Sequence, residues 1–262
     1  MSMPDVKLVV FDWAGTTVDF GCLAPVGAFV AVFAERGVTV PVAEARGPMG
    51  LHKKDHIRVL LQGPAGERWR QAVGRDWTEA DVEELYRQVT PMQVAAARLH
   101  AELCPGVLEC VAELRRHGVK IAATTGYFRE AADVCYTAAA EQGYVPDFVI
   151  CADEVPAGRP APWMLFRCME ALGVYPPAAV VAVGDTPADM QAAKNAGCIA
   201  FGVTTSGNEV GLSEVEFAAL TEAERQAVVL TACRRLMHAG ADSLVSSIGQ
   251  VPMVLRSAGM LP

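Results

Sequence analysis

The sequence lacks the marks of several protein classes. None of its apolar runs approaches the ~18 residues that suggest a bilayer span, and it opens without a basic leader and apolar stretch, so neither a membrane span nor export is expected. The eight cysteines form no CxxC pair and no Cys/His spacing of zinc type. Several lie inside apolar segments, which fits buried thiols in a reducing cytoplasm better than a disulfide framework. Basic charge is in deficit: 22 Lys and Arg against 30 Asp and Glu give a formal net charge of −8. That balance disfavours a broad nucleic-acid or anionic-membrane surface, and an anionic substrate must be met by local cations. Internal repeats and low-complexity tracts are also absent.

What remains is an ordinary globular composition, 262 residues of which 52% are hydrophobic, enough for one large domain or a core with a smaller insertion. Short apolar runs at residues 7–11, 119–124, 148–151, 180–183 and 199–203 read as strands. Helical patterns separate them: Val107, Cys110, Val111 and Leu114 recur at 3/4 spacing, and residues 163–172 end at Gly173. Such alternation implies right-handed crossovers and a parallel sheet. The stretch from about Cys22 to Leu103 breaks it, with an amphipathic helix over 26–36, a His/Lys-rich turn at 52–56 and a helix begun at Thr78 that Pro91 interrupts. The expected fold is therefore α/β, a Rossmann-like parallel sheet core with helices on both faces (residues 1–21 and 104–262) and an inserted α-helical cap domain (22–103). Hinges are expected near Phe20-Gly21 and between Leu103 and Pro105. Beyond Val203 come a polar loop over 204–211, one long helix begun by Ser213 with Glu216 completing a capping box, and a last strand and helix within 242–260.

Four short motifs follow strand candidates, and an open parallel sheet binds ligands at the carboxyl ends of its strands. Asp12 ends the first run in DWAGT, where Gly15 allows close backbone approach to an anion, although such an aspartate also serves simply to cap a turn. In TTGY, the Thr125 hydroxyl and the Gly126 amide, with Tyr127 beside them, offer donors to a phosphoryl oxygen; TTG by itself also reads as a plain turn. Arg159 stands between Gly158 and Pro160, rigid flanks that favour a positioned charge over a solvated one. VAVGDTPADM is the strongest motif: Asp185 at a strand end, Thr186 as N-cap, Pro187 at the first helical position, and Asp189 about one turn on. Two carboxylates from different strands, Asp12 and Asp185, with a backbone carbonyl and waters, are what hard, oxygen-loving Mg2+ requires.

One acid is missing from this set. VVFDWAGTTVD, TTGY, AGRP and VGDTPADM together resemble the four motifs of the haloacid dehalogenase superfamily. In that superfamily the first aspartate attacks phosphorus to give an aspartyl-phosphate, Mg2+ shields the charges, and a second aspartate two residues later usually acts as acid and base. Here that position is Ala14. A phosphate ester releases an alkoxide that benefits from a general acid, whereas breaking a phosphorus–carbon bond releases a carbanion that needs an electron sink. A lysine condensed with an adjacent aldehyde supplies one.

With DWAGTTVDFGC, PMGLHKKDH and PAGRPAPWM added, the resemblance narrows to the phosphonatase family and runs nearly end to end. It implies a Schiff-base lysine at Lys53, with Lys54 left to solvent, and His56, Met49 and Cys22 near the amine. It further implies Mg2+ on Asp12, the Ala14 carbonyl and Asp185, with Asp189 in support, and Arg159 and Thr125 on the phosphoryl group. The implied substrate is phosphonoacetaldehyde, cleaved to acetaldehyde and phosphate, in a cytoplasmic homodimer joined through cap helices with neither nucleic acid nor membrane as partner. Without the core motifs, the two lysines and two histidines of the cap would read as a basic helix end facing water. Two rival functions remain: a phosphomonoesterase or phosphomutase, against which Ala14 speaks, and an inactive phosphate-binding module, against which Asp12, Thr125, Arg159 and Asp185 speak. His52 and Phe128 flank matched positions and have no assigned role.

Overall fold

Strands that are apolar on both sides need cover on both faces, and this chain supplies it. The computed structural model describes residues 4–261. After β1 (Leu8–Phe11) come five helices: α1 (Leu23–Ala34), α2 (Val42–Arg46), α3 (Lys53–Gln62), α4 (Pro64–Val73) and α5 (Glu79–Leu99). Strands and helices then alternate through α6 (Val107–Arg116), β2 (Lys120–Thr125), α7 (Arg129–Glu141), β3 (Phe148–Cys151), α8 (Trp163–Leu172), β4 (Val180–Gly184), α9 (Pro187–Ala196) and β5 (Ile199–Val203). The chain finishes with α10 (Glu214–Ala219), α11 (Glu222–His238), β6 (Ser243–Val245) and α12 (Val251–Ser257). None of the described helices is long and apolar enough to cross a membrane.

The six strands pair in parallel in the order β3-β2-β1-β4-β5-β6. All four residues of β1 are buried, and successive side chains enter opposite layers. Val9 and Phe11 pack with Cys110, Leu114, Ala131 and Leu255 from α6, α7 and α12. Leu8 and Val10 pack with Met164, Cys168, Met190 and Leu236 from α8, α9 and α11. Because β2 and β4 flank β1, the direction of sheet growth reverses there, leaving a crevice beyond the carboxyl ends of β1 and β4. Asp12 and Asp185 each follow one of those two strands.

Helices α1 to α5 enclose an apolar core of their own, with Phe29, Phe33, Ile57, Leu61, Trp69 and Leu85 at its centre. The two connections to this insertion run side by side. Asp19 donates its amide to the Glu102 carbonyl, and Cys104 donates to Thr17. The first connection turns through left-handed conformations at Asp19, Gly21 and Cys22, and the Asp19 carboxylate accepts from the amides of Leu23 and Ala24 at 3.0 Å each, satisfying the start of α1.

Two expectations need correction. Pro91 does not interrupt its helix: α5 is continuous from Glu79 to Leu99. Val82, Leu85, Val89, Gln93 and Ala97 stay buried on one face across the proline, and the Thr90 hydroxyl donates to the Tyr86 carbonyl at 2.8 Å, so packing outweighs one lost backbone bond. The helix begun by Ser213 does carry its capping box with Glu216 but ends at Ala219. Leu220 is extended, and Thr221 with Glu224 forms a second box that starts α11.

Candidate active site

The site is assembled by strand ends. At the exit of β1 the Asp12 amide donates to the Val183 carbonyl, and the Thr17 hydroxyl donates to the Asp12 carbonyl at 2.9 Å, so the backbone beneath the carboxylate is tied on both sides. Gly15 follows at φ 86°, and a Cβ there would stand 2.3 Å from Asp185 Oδ2. Only glycine permits the β1 turn to lie against that carboxylate. At the exit of β4, Thr186 caps α9 and Asp189 returns the favour: its Oδ2 accepts from the Thr186 amide at 3.0 Å and the hydroxyl at 2.6 Å.

Carboxylate oxygens of Asp12, Asp185 and Asp189 all lie within 4.8 Å of one another, and all three residues are buried. Arg159 runs between two of them, with Nη2 2.7 Å from Asp12 Oδ1 and Nη1 2.7 Å from Asp189 Oδ1. The same Nη2 donates to the Thr124 hydroxyl at 2.7 Å. Asp189 is thereby occupied by Arg159 and by its helix cap, whereas Asp185, among the described residues, accepts only from the Thr16 hydroxyl (3.1 Å) and the Asn208 amide (2.7 Å). The donor set is hard oxygen with excess negative charge, and it fits a small divalent cation between Asp12 and Asp185. Burial pushes the Asp12 carboxyl up to about 6 despite the Arg159 guanidinium, and Asp189 adds to the rise. Burial, then Asp12 and Asp189, drive Asp185 well above the usual carboxylate range. A bound dication reverses both effects by favouring the ionised forms.

Above the carboxylates lies a cavity with about 290 Å³ of empty space, part of it open to solvent. Asp12, Ala14, Cys22, Met49, Lys53, Thr125, Gly126, Tyr127, Arg159 and Thr186 all line it. Strand parity divides the two threonines: Thr125 faces the cavity, while Thr124 holds Arg159. From the insertion side Gly50 closes over the core, so near Thr186 that a Cβ would stand 2.4 Å from its Oγ1.

Lys53 enters this cavity from the first turn of α3, only 4% exposed. Its Nζ lies 4.9 Å from the centre of the Tyr127 ring and 5.7 Å from that of Phe29, and it has no carboxylate partner among the described residues. Burial lowers its pKa to about 8, with Arg159 acting in the same direction and Cys22 and Asp12 opposing. His56, one turn on, stacks on Phe29 at 3.7 Å, and burial together with Lys53 keeps its imidazole well below the ordinary range. Burial likewise raises the Cys22 thiol well above its usual value. Lys54 points elsewhere and pairs with Glu83 at 2.8 Å on the outer surface.

The two unassigned residues both make contacts that shape the insertion and its seat on the core. His52 caps α3, its Nδ1 accepting from the Lys54 amide at 3.3 Å, and Phe128 is buried edge-on against Tyr86. Thr16, Thr124 and Asn208 escaped the sequence reading. Thr16 and Thr124 sit inside motifs that were recognised, but only the pairing of strands shows what each touches.

The profile of haloacid dehalogenase-like hydrolases matches residues 6–197. A phosphonoacetaldehyde hydrolase of Syntrophobacter fumaroxidans is 45% identical over 252 residues, 96% of this chain and 91% of that one. Another, from Bacillus thuringiensis, is 41% identical over 96% of both chains. This chain belongs to the phosphonoacetaldehyde hydrolase family of haloacid dehalogenase-like hydrolases. A phosphonoacetaldehyde hydrolase-like protein of Oleispira antarctica superposes with a TM-score of 0.96 at 35% identity, covering 98% of this chain and 94% of that one. Family membership therefore extends over both the sheet core and the helical insertion that carries Lys53.

Proposed function

We propose that the protein hydrolyses phosphonoacetaldehyde to acetaldehyde and phosphate, with Lys53 as Schiff-base former and Asp12 as nucleophile. The observation that carries this reading is the shared cavity, in which a buried lysine without a counter-ion among the described residues and a strand-end aspartate face the same space and the acid position is Ala14. Residues 22–103 are taken as the cap, a division supported by the separate apolar core of the insertion.

Neutral Lys53 adds to the aldehyde, and the adduct takes up one proton and loses water, forming an iminium next to the carbon that bears phosphorus. Asp12 attacks phosphorus, and the electron pair of the phosphorus–carbon bond moves into the iminium to give an enamine. Protonation and hydrolysis return the lysine and release acetaldehyde; a second water cleaves the aspartyl-phosphate. His56, buried one turn from Lys53 and held neutral, adds no competing positive charge beside the amine, and Met49, Cys22 and Tyr127 shut out bulk water around it. Thr125 and the Gly126 amide orient phosphoryl oxygens, and Arg159 holds Asp12 in line while offsetting their charge. Asp12, the Ala14 carbonyl and Asp185, with Asp189 and Thr186 in support, would hold Mg2+, which when bound would supply the remaining neutralisation of charge. A homodimer joined through the cap and a cytoplasmic location complete the proposal; the buried free cysteines agree with a reducing compartment.

Borohydride added with substrate is expected to trap a reduced adduct on the peptide containing Lys53. Continued turnover with no adduct there would sink the Schiff-base step. The pH dependence has a definite sign: the attacking amine is neutral above its pKa, so kcat/KM rises with pH and levels off above about 8. A profile flat through that region would show that no amine near this value is in use. Comparing phosphonoacetaldehyde with p-nitrophenyl phosphate separates this activity from phosphomonoesterase work, for which Ala14 leaves no acid.

A further inference from the structure

The polar loop between β5 and α10 takes no part in the chemistry above, yet it is bonded to the nucleophile turn, the hinge and the cap. The Ser206 hydroxyl donates to the Gly15 carbonyl, and the Ser206 carbonyl accepts from the Gly21 amide, each at 2.7 Å. Two residues on, the Asn208 amide donates to Asp185 Oδ2 at 2.7 Å. The Asn208 side chain, 3% exposed, turns the other way and meets Arg46 of α2 in the cap.

Arg46 is half-buried and has no carboxylate partner within ion-pair distance among the described residues. Neutral oxygens surround its guanidinium. Nη1 donates to the carbonyls of Gly21 (2.9 Å) and Cys22 (3.3 Å) and to Asn208 Oδ1 (3.2 Å), and Nη2 donates to the Gly211 carbonyl (2.9 Å). Asn208 Nδ2 donates back to the Arg46 carbonyl at 3.3 Å. The planar fork thus joins the cap helix, the hinge and the core loop at one point, and it selects them by direction because every acceptor is uncharged.

We propose that Arg46 is a latch, a positioning residue that holds the cap closed and, through Asn208, sets the loop whose amide orients Asp185. The bonds to Gly211 and Asn208 cross from cap to core and exist only in the closed arrangement. Opening breaks them, frees the loop and loosens the hydrogen bond on Asp185, so cap closure and completion of the carboxylate site are one event. The proposal rests on the reading that closure brings Lys53 over Asp12, but it concerns different residues.

The test uses the full chain with Arg46→Ala, Asn208→Ala, the double variant and Arg46→Lys. Hydrogen exchange, read without substrate, is expected to accelerate by about tenfold or more in peptides spanning 19–24 and 206–211 of Arg46→Ala, with the β1, β2 and β4 peptides unchanged. Turnover is expected to follow, kcat/KM falling by about 10- to 100-fold in either single variant and no further in the double, since the two side chains act through each other. Arg46→Lys recovers only part of the loss, because one ammonium cannot serve both sets of acceptors, and added methylguanidinium partly restores Arg46→Ala. Unchanged exchange in 206–211, additive losses in the double variant, or single variants within about twofold of wild type would each overturn the latch. Exchange decides the point even if the wild-type enzyme proves to act on another phosphonate.

Discussion

Lys53→Arg retains less than about a thousandth of wild-type turnover of phosphonoacetaldehyde, a loss of ~4 kcal/mol at 1.36 kcal/mol per decade. Arginine keeps the positive charge and the length but never the free electron pair, since its guanidinium stays protonated at any working pH. If Lys53 merely attracted the phosphonate, the substitution would spare most of the rate. Lys53→Met separates chemistry from stability. The amine is 4% exposed and has no carboxylate partner among the described residues, so replacing it with an apolar chain of similar length removes a buried polar group without orphaning a partner. The thermal midpoint is expected to stay level or rise while activity is lost as fully as in Lys53→Arg. A Met variant with more than about a tenth of wild-type kcat/KM would end the covalent role of this lysine.

Asp12→Asn is expected to be at least as damaging, about 10,000-fold or more, while leaving the other half of the reaction intact. The carboxamide cannot form the acyl-phosphate, but it fills the same space above β1. Borohydride trapping on Lys53 should persist in this variant at near wild-type yield, because aldehyde condensation does not involve Asp12. Loss of both turnover and trapping would mean that Asp12 holds the site together instead of attacking phosphorus. Stability gives an independent check. Asp12, Asp185 and Asp189 stand against a single guanidinium, Arg159, so removing one carboxylate relieves like-charge repulsion in the metal-free protein. Added Mg2+ should therefore raise the midpoint of the wild type clearly and that of Asp12→Asn much less, because a cation that binds only the folded state stabilises it by an amount that grows with the logarithm of one plus its concentration over its dissociation constant.

Both predictions concern residues legible before any coordinates. Asp12 and Asp185 end apolar runs whose length and flanks mark buried strands, and Thr186-Pro187 announces a helix start by local chemistry alone. Lys53 needed more. Nothing in KKDH distinguishes one lysine from its neighbour, and the resemblance to a known family made the choice. The structure supplies the physical difference: Lys53 is buried against Tyr127 and Phe29, while Lys54 reaches Glu83 on the outer surface.

Elsewhere local reasoning ran out. Pro91 is a helix breaker by its own chemistry, yet α5 continues through it because the packing of its buried face is a property of the whole insertion. Ser213 starts a helix as its capping box requires, but a second box at Thr221 decides where the next begins. Thr124 and Thr125 are equivalent in TTG until strand parity sends one to Arg159 and the other to the cavity.

The division has a simple cause. Strands, helix caps and turns depend on residues two to four apart, so the sequence by itself determined the parallel α/β core, the helical insertion, and the strand-end positions of Asp12 and Asp185. Bonds between distant segments obey no such spacing. Arg46 meets Asn208 and Gly211 across more than 160 residues, as Thr16 meets Asp185. Only tertiary structure decided these meetings, because Thr16 reaches Asp185 through the pairing of β1 with β4 and Arg46 reaches its acceptors through the packing of the insertion on the core, neither through a local pattern.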